Sequence, residues 1–371
     1  MKFCFYGNIA EALIGKTPGG GELQVALLAK ALALKGHEVV VVDPLAKESF
    51  VTKEGVRLVD VPGWNEGSRG VRLFSHRIPS LKKVLAEQKA DYYYVRMRSY
   101  MHLVPYLVSR KTKGKFILAV ACDLDVLSFW KKFKYEYKPK FNLFKFLTLS
   151  VPNDMVFDYL LQKSDYVTVQ HSGQQPNANA NSKYHIYPNI FDQSNVTMVN
   201  QPSRDYFIHV GSLTILKGAD KLLELVKKLN KNIHVMIVGQ PKDARSKKIC
   251  TELRRMENVT FKGPVKHSEA IRLIANAKAL INTSHYEGFP NIFLEAWATG
   301  VPVISLKVNP GNVIKKHGLG IYCEGNLERM KAAIESDETC LIDKNKLISY
   351  VSGHHDFDGA ADRFLNILNH S

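Results

Sequence analysis

Two glutamates, Glu287 and Glu295, are separated by seven residues within the string SHYEGFPNIFLEAWATGVPV, Ser284 to Val303. Gly288 and Pro290 break the chain between them, and Asn291 is suited to opening a helix. An apolar run, LINT, leads in, and a tight Thr299-Gly300-Val301-Pro302 turn leads out to the strand-like VPVIS. This pattern predicts Glu287 in a loop at the C-terminal end of a strand and Glu295 about one turn inside the next helix. Ligands of open α/β sheets bind at that edge. The N–H groups of a helix start favour a phosphate there. A carboxylate buried nearby is costly unless hydroxyls bond it. Two carboxylates flanking an anion site thus suit a ligand carrying both a diphosphate and many hydroxyls, as a nucleotide sugar does.

The elements that must hold these residues follow a βαβ rhythm. MKFCFYG reads as a strand, GELQVALLAKALALKG as a helix and HEVVVVD as a strand, with DYYYVRM, KFILAVA and SDYVTVQ continuing the series. A second series opens at Tyr206 with YFIHVG, a helix from about Gly218 and NIHVMIVG, followed by NVTFKG, KALINTS and VPVISL. Such alternation predicts parallel sheets covered on both faces. The polar, proline-containing stretch between Asn189 and Asp205 marks the expected boundary. The expected organisation is residues 1–190, residues 191–354, and a terminal helix over 355–371 with apolar spacing at Phe357, Ala361, Phe364 and Leu368.

The string EGFPNIFLEAWATGVPV resembles the E-x7-E signature of the family-four retaining glycosyltransferases of the GT-B type. The resemblance implies an α/β chain of two Rossmann-like domains facing a cleft. The first domain would bind acceptor and the second a nucleotide-sugar donor, with the C-terminal helix crossing back to the first. It implies that Glu287 touches the donor sugar and Glu295 the ribose, with Gly288, Phe289, Pro290, Asn291 and Ile292 completing the donor site. In KTPGGGELQVALLAKAL, Gly20 and Gly21 let a backbone approach a ligand closely, and in the family this loop lies beside the donor diphosphate.

The second series opens with HVGSLTILKGADKLLEL, where Lys217 stands before a helix and could reach a leaving diphosphate. The family has an Arg where this chain has Ser212, which leaves one cation fewer to neutralise charge developing on the leaving group. Cys122-Asp123 likewise stands where the family often has a His. Asp123 suits contact with a sugar or the capping of a helix. The Asp123-Leu124-Asp125 triplet is discounted as a metal motif, since chance alone supplies about one such triplet in a chain of this length. No metal and no cofactor beyond a UDP- or GDP-linked sugar is expected.

The chain has 371 residues and a formal net charge of +16, with five scattered cysteines and no C-x-x-C. These features argue against a disulfide framework or a zinc site and fit a reducing cytoplasm. The N-terminus lacks signal-peptide organisation, and no stretch reaches bilayer-spanning length. No nucleic-acid-binding motif accompanies the charge. Trp130 to Phe146, WKKFKYEYKPKFNLFKF, interleaves lysines with aromatic residues. It suggests docking to an anionic inner membrane face, near a glycan or lipid-linked acceptor, or a positive loop over an acceptor cleft. Arg69, Arg72, Arg77, Arg96 and Arg98 add charge suited to a phosphate-bearing acceptor or to solvated faces. His285 could hydrogen-bond a sugar.

The expected activity is therefore glycosyl transfer in cell-envelope or capsular polysaccharide synthesis. The alternatives are an NAD-dependent oxidoreductase, a nucleotide-sugar epimerase and a non-catalytic glycan-binding protein. The oxidoreductase would use the glycine-rich loop with Asp43 as a ribose-binding acid, but its fingerprint wants glycine where Gln24 stands.

Overall fold

Alternating strands and helices build two separate sheets in the computed structural model. It describes residues 1–16, 19–68, 70–137, 141–176, 183–195, 205–336 and 338–369. The chain divides into two compact units. One takes Met1–Ala121, Phe141–Ile190 and Phe357–Ser371, and the other takes Cys122–Lys140 and Phe191–Asp356. The division at Ile190 falls within the expected connection, whose residues 196–204 lie outside the described ones. Residues 122–140 cluster with the second unit, a correction to the boundary expected from sequence, which assigns them to the first. A backbone bond from Asp123 N–H to the Glu287 carbonyl (3.0 Å) and the packing of Tyr135 on His285 and Tyr286 hold them there.

The first unit's sheet contains β1 (Lys2–Tyr6), β2 (Glu38–Val42), β3 (Phe50–Val51), β4 (Arg57–Val59), β5 (Tyr92–Arg96), β6 (Lys115–Ala119), β7 (Tyr166–Val169) and β8 (Tyr184–Ile186). Their order is β3-β4-β2-β1-β5-β6-β7-β8, parallel except for the β3–β4 pair. Strands β1 and β2 read as unbroken apolar runs because both faces are covered. The helix Gly20–Leu34 packs on one face with the C-terminal helix Ala360–Asn369, whose Ala361, Phe364 and Leu368 enter the same core. Phe364 meets Phe3, Tyr94 and Tyr187, and the Tyr187 hydroxyl donates to the Ala360 carbonyl (3.0 Å).

The second unit's sheet is wholly parallel. It contains β9 (Phe207–Val210), β10 (Val235–Val238), β11 (Val259–Gly263), β12 (Leu280–Asn282), β13 (Val303–Ser305) and β14 (Gly320–Tyr322), ordered β11-β10-β9-β12-β13-β14. In both sheets the chain builds outward on one side and then returns to the other. The strand order reverses between β1 and β5 in the first unit and between β9 and β12 in the second. These reversals open the crevices in which α/β sheets bind ligands.

Candidate active site

Lys217 and Glu287 both follow strands that flank the second unit's reversal, β9 and β12. Two hydrogen bonds clip their loops together. The His285 N–H donates to the Leu216 carbonyl (2.9 Å), and the Thr283 hydroxyl donates to the Gly218 carbonyl (3.0 Å). Gly218 makes this approach sterically feasible: it adopts φ +68°, and a Cβ there would lie 1.8 Å from the Thr283 carbonyl oxygen.

The result is an ion pair between Lys217 Nζ and Glu287 Oε2. The other carboxylate oxygen accepts from Ser284 Oγ at 2.8 Å. The Glu287 side chain is 14% exposed and that of Lys217 38%, so a mostly covered anion is matched to a cation that still reaches solvent. Such a pair offers acceptors to sugar hydroxyls and a movable ammonium to a phosphate.

Glu295 lies in the helix Asn291–Ala298, which starts after Pro290. Phe293, Leu294, Ala296 and Trp297 of this helix are fully buried, as befits a helix that is apolar nearly all round. It ends at Gly300, in the left-handed region, with Val301 N–H donating to the Ala296 carbonyl (2.8 Å) and Gly300 N–H to that of Trp297 (3.0 Å). Within this apolar helix Glu295 is only 7% exposed, and its Oε1 bonds His267 Nε2 at 3.0 Å. The bond to Glu295 lifts the His267 pKa above its ordinary value against the opposing effect of burial. Phe289 packs on Trp297 and His355, which fixes the loop between the two glutamates.

Ser212 sits in a turn fixed by Gly211 N–H to the Val238 carbonyl and Leu213 N–H to the Gln240 carbonyl, both 3.0 Å. Asp123 reaches the Glu287 segment through its backbone, while the neighbouring Asp125 takes the capping role by accepting from the Cys122 N–H (2.9 Å). His285 stands 3.8 Å from Asp220 Oδ1 and lies against the Tyr135 ring. Burial raises the Asp220 pKa, but the proximity of His285 and the backbone N–H groups of Asp220 and Lys221 outweigh it and the net shift is downward. Among the described residues, no group of three or more His, Cys, Asp or Glu is placed to hold a metal ion.

Gly20 and Gly21 belong to the first unit. A side chain at Gly21 would come within 2.8 Å of Met97 Sδ, so close packing on Met97 is one reason for glycine there. Gln24 spends its amide on Ile190, donating to its carbonyl (2.8 Å) and accepting from its N–H (2.6 Å). Asp43 Oδ2 accepts the Ile9 and Ala10 N–H groups, both at 2.7 Å, and Oδ1 that of Leu45 at 2.8 Å. The two residues that bear on an oxidoreductase reading are thus engaged in local structure.

Sequence patterns alone do not single out Ser284 or His267 as parts of this site. A hydroxyl three residues before a loop glutamate is the available signal for Ser284. His267 is 28 positions from Glu295 and has no local signal.

Two Rossmann-like units of this topology make the GT-B architecture. The chain superposes over its full length on the structure of Anabaena HepE in complex with UDP and glucose, with TM-score 0.71, 16% identity and 99% of that chain covered. It also matches the sucrose-phosphate synthase of Thermosynechococcus elongatus, with TM-score 0.77, 15% identity and 98% of that chain covered. Residues 197–351 match the family model described as Glycosyl transferases group 1. A phosphatidylinositol N-acetylglucosaminyltransferase subunit of Arabidopsis thaliana is 26% identical over 175 residues, 45% of this chain and 38% of the plant protein. The chain thus matches well under half the length of that relative.

Proposed function

We propose that this protein is a retaining, metal-independent glycosyltransferase that moves a sugar from a nucleotide-diphosphate sugar to a glycan or lipid-linked acceptor. The observation that carries this reading is the carboxylate pair. Glu287 is held by Lys217 and Ser284 at the strand reversal, and Glu295 is buried against His267 eight residues on. Glu287 positions the donor sugar and Glu295 binds the ribose hydroxyls. As the glycosidic bond breaks, positive charge builds on the sugar ring and negative charge on the diphosphate. Lys217 and the N-terminus of the helix Asn291–Ala298 stabilise the departing diphosphate. The leaving phosphate assists the acceptor on the same face of the sugar, which retains the anomeric configuration. The UDP in the HepE structure and the name of the plant relative favour a UDP-linked donor and a lipid-linked acceptor.

Nucleotide binding tests the site directly. UDP or GDP should raise the thermal midpoint of the wild type, and Glu295→Ala should lower the affinity about tenfold or more through loss of ribose contacts. Equal affinity in both proteins would remove Glu295 from the site. Stabilisation by NAD alone would restore the oxidoreductase alternative. Nucleotide release measured with and without acceptor separates a transferase from an epimerase or a glycan-binding protein.

The acceptor side is proposed to meet an anionic membrane surface. No helix among the described residues is long and apolar enough to cross a membrane. The lysine-aromatic run divides between the units. Trp130 is 75% exposed in the second, while Phe144 is 75% exposed in the first, where Phe141, Leu143, Leu147 and Leu149 are also exposed. Lys131, Lys134 and Lys145 are exposed, whereas Lys132 is buried. Apolar side chains beside lysines suit the boundary between headgroups and acyl chains. Flotation with vesicles containing phosphatidylglycerol at low salt should carry the protein to the top fraction. Binding should weaken with salt and in Phe144→Ser, and protein left at the bottom at low salt would refute the surface.

A further inference from the structure

Glu295 is 7% exposed, and a carboxylate taken out of water needs donors to hold it. Among the described residues one side chain supplies a donor: His267, whose Nε2 lies 3.0 Å from Glu295 Oε1. An ionised carboxylate only accepts, so Nε2 carries the proton of this bond. The raised His267 pKa is the electrostatic signature of the same contact. The second oxygen, Oε2, bonds no described residue and is not sealed from solvent. The carboxylate therefore has one oxygen anchored and one open.

The anchor comes from a different element. His267 opens the helix His267–Ala275, which follows β11 and leads into β12. Side chains lean toward the start of their helix, so a residue at the first position reaches past it. Ala270, Ile271, Ile274 and Ala275 are the buried residues of this helix. Ile274 shares one core with Phe293, Leu294 and Trp297 of the helix that carries Glu295. The Ala270 N–H closes the first turn on the Lys266 carbonyl at 3.0 Å. Two helices locked by that core hold imidazole and carboxylate at a fixed separation. A glutamate side chain has several rotatable bonds, and anchoring one oxygen removes much of that freedom before a ligand arrives. The His267 side chain is 37% exposed, so the pair lies at the margin of the core, where a ligand can reach it.

We propose that His267 is a positioning residue of the nucleotide site: it fixes Glu295 Oε1, presents Oε2 to the ribose hydroxyls and thereby sets the preference for a ribonucleotide. This role rests on the assignment of Glu295 to the ribose and goes beyond it by naming the residue that aims the carboxylate. A carboxylate held in one orientation meets hydroxyls at fixed positions, whereas an unanchored one must be ordered by the ligand itself. The hydroxyl-dependent part of the affinity is therefore the part that His267 controls.

UDP and GDP are each titrated by calorimetry into the full chain beside dideoxy-UDP and dideoxy-GDP, which lack both ribose hydroxyls. The wild type should take one ribose form about tenfold or more tightly than its dideoxy analogue, as expected of hydroxyls bonded to a charged acceptor. His267→Phe keeps a ring without a donor. It should bring that ratio close to one while leaving the affinity for the dideoxy form near that of the wild type. His267→Gln restores an N–H donor and should recover the larger part of the ratio. Failure to recover any of it overturns the hydrogen bond as the cause. A purely structural histidine would instead lower the melting temperature and leave the ratio as in the wild type, which overturns the proposal. Glu295→Ala separates this role from the ribose assignment. If the ratio collapses in Glu295→Ala but persists in His267→Phe, Glu295 keeps the ribose and the positioning role falls. A ratio of one in the wild type, or no binding of either nucleotide at millimolar concentration, removes the ribose assignment and the His267 role with it. Should His267→Phe not fold, His267→Ala decides by the same ratio.

Discussion

Replacing Glu287 by alanine is expected to lower turnover by about two to three orders of magnitude, the scale seen when one preorganised electrostatic contact is removed from a reacting centre. The carboxylate holds Lys217 and accepts from Ser284, so its loss also releases the ammonium proposed to stabilise the leaving diphosphate. Stability should change little, because Lys217 is partly exposed and water can solvate it once its partner has gone. Glu287→Gln is the sharper variant, since it keeps an acceptor for Ser284 while removing the charge that faces Lys217. The double variant Glu287→Ala/Lys217→Ala should cost less than the sum of the two single changes, as expected for residues acting as a unit. Initial rates with a saturating donor sugar, alongside thermal unfolding, provide the measurement. Wild-type turnover in a well-folded Glu287→Ala protein would end the assignment.

Gly218→Ala should produce a large loss of stability in the second unit. The backbone there has φ +68°, and the new methyl would stand 1.8 Å from the Thr283 carbonyl oxygen. Left-handed strain and overpacking against rigid backbone together cost on the order of 3 kcal/mol. Relief requires the loop of Lys217 to withdraw from Thr283 to His285, which separates Lys217 from Glu287, so activity should fall beyond what the lost stability explains. Gly353→Ala is the control. It lies in the helix Lys344–His354 with nothing within 4 Å of the added methyl, and alanine there should stabilise by up to about 1 kcal/mol. Urea unfolding of the three proteins tests this, and equal midpoints for wild type and Gly218→Ala would refute the packing argument.

The long central strands were legible because burial on both faces demands unbroken apolar runs, as in EVVVV of β2 and VMIV of β10. The short strands β3, β4, β8 and β14 were not. Two or three residues at or near a sheet margin carry no periodicity, and their pairing is set by the strand beside them. The placement of Glu295 was similarly legible, since Pro290, Asn291 and Gly300 punctuate one helix locally.

By itself, then, the sequence determined what is written in neighbouring residues: the βαβ alternation, the punctuation around the two glutamates and the apolar stripe of the terminal helix. Tertiary structure decided which distant residues meet. It brought Lys217 to Glu287 across 70 positions and His267 to Glu295 across 28. It engaged Asp43 and Gln24 in backbone bonds, and it grouped residues 122–140 with the second unit. It also bonded Arg96 to Asn189, Arg98 to Asp154 and Arg77 to the Trp64 carbonyl, while Arg69 lies outside the described residues. The physical reason is that periodicity and turn chemistry act over a few residues, whereas a buried charge selects its partner after the sheet order has brought separate strand ends together.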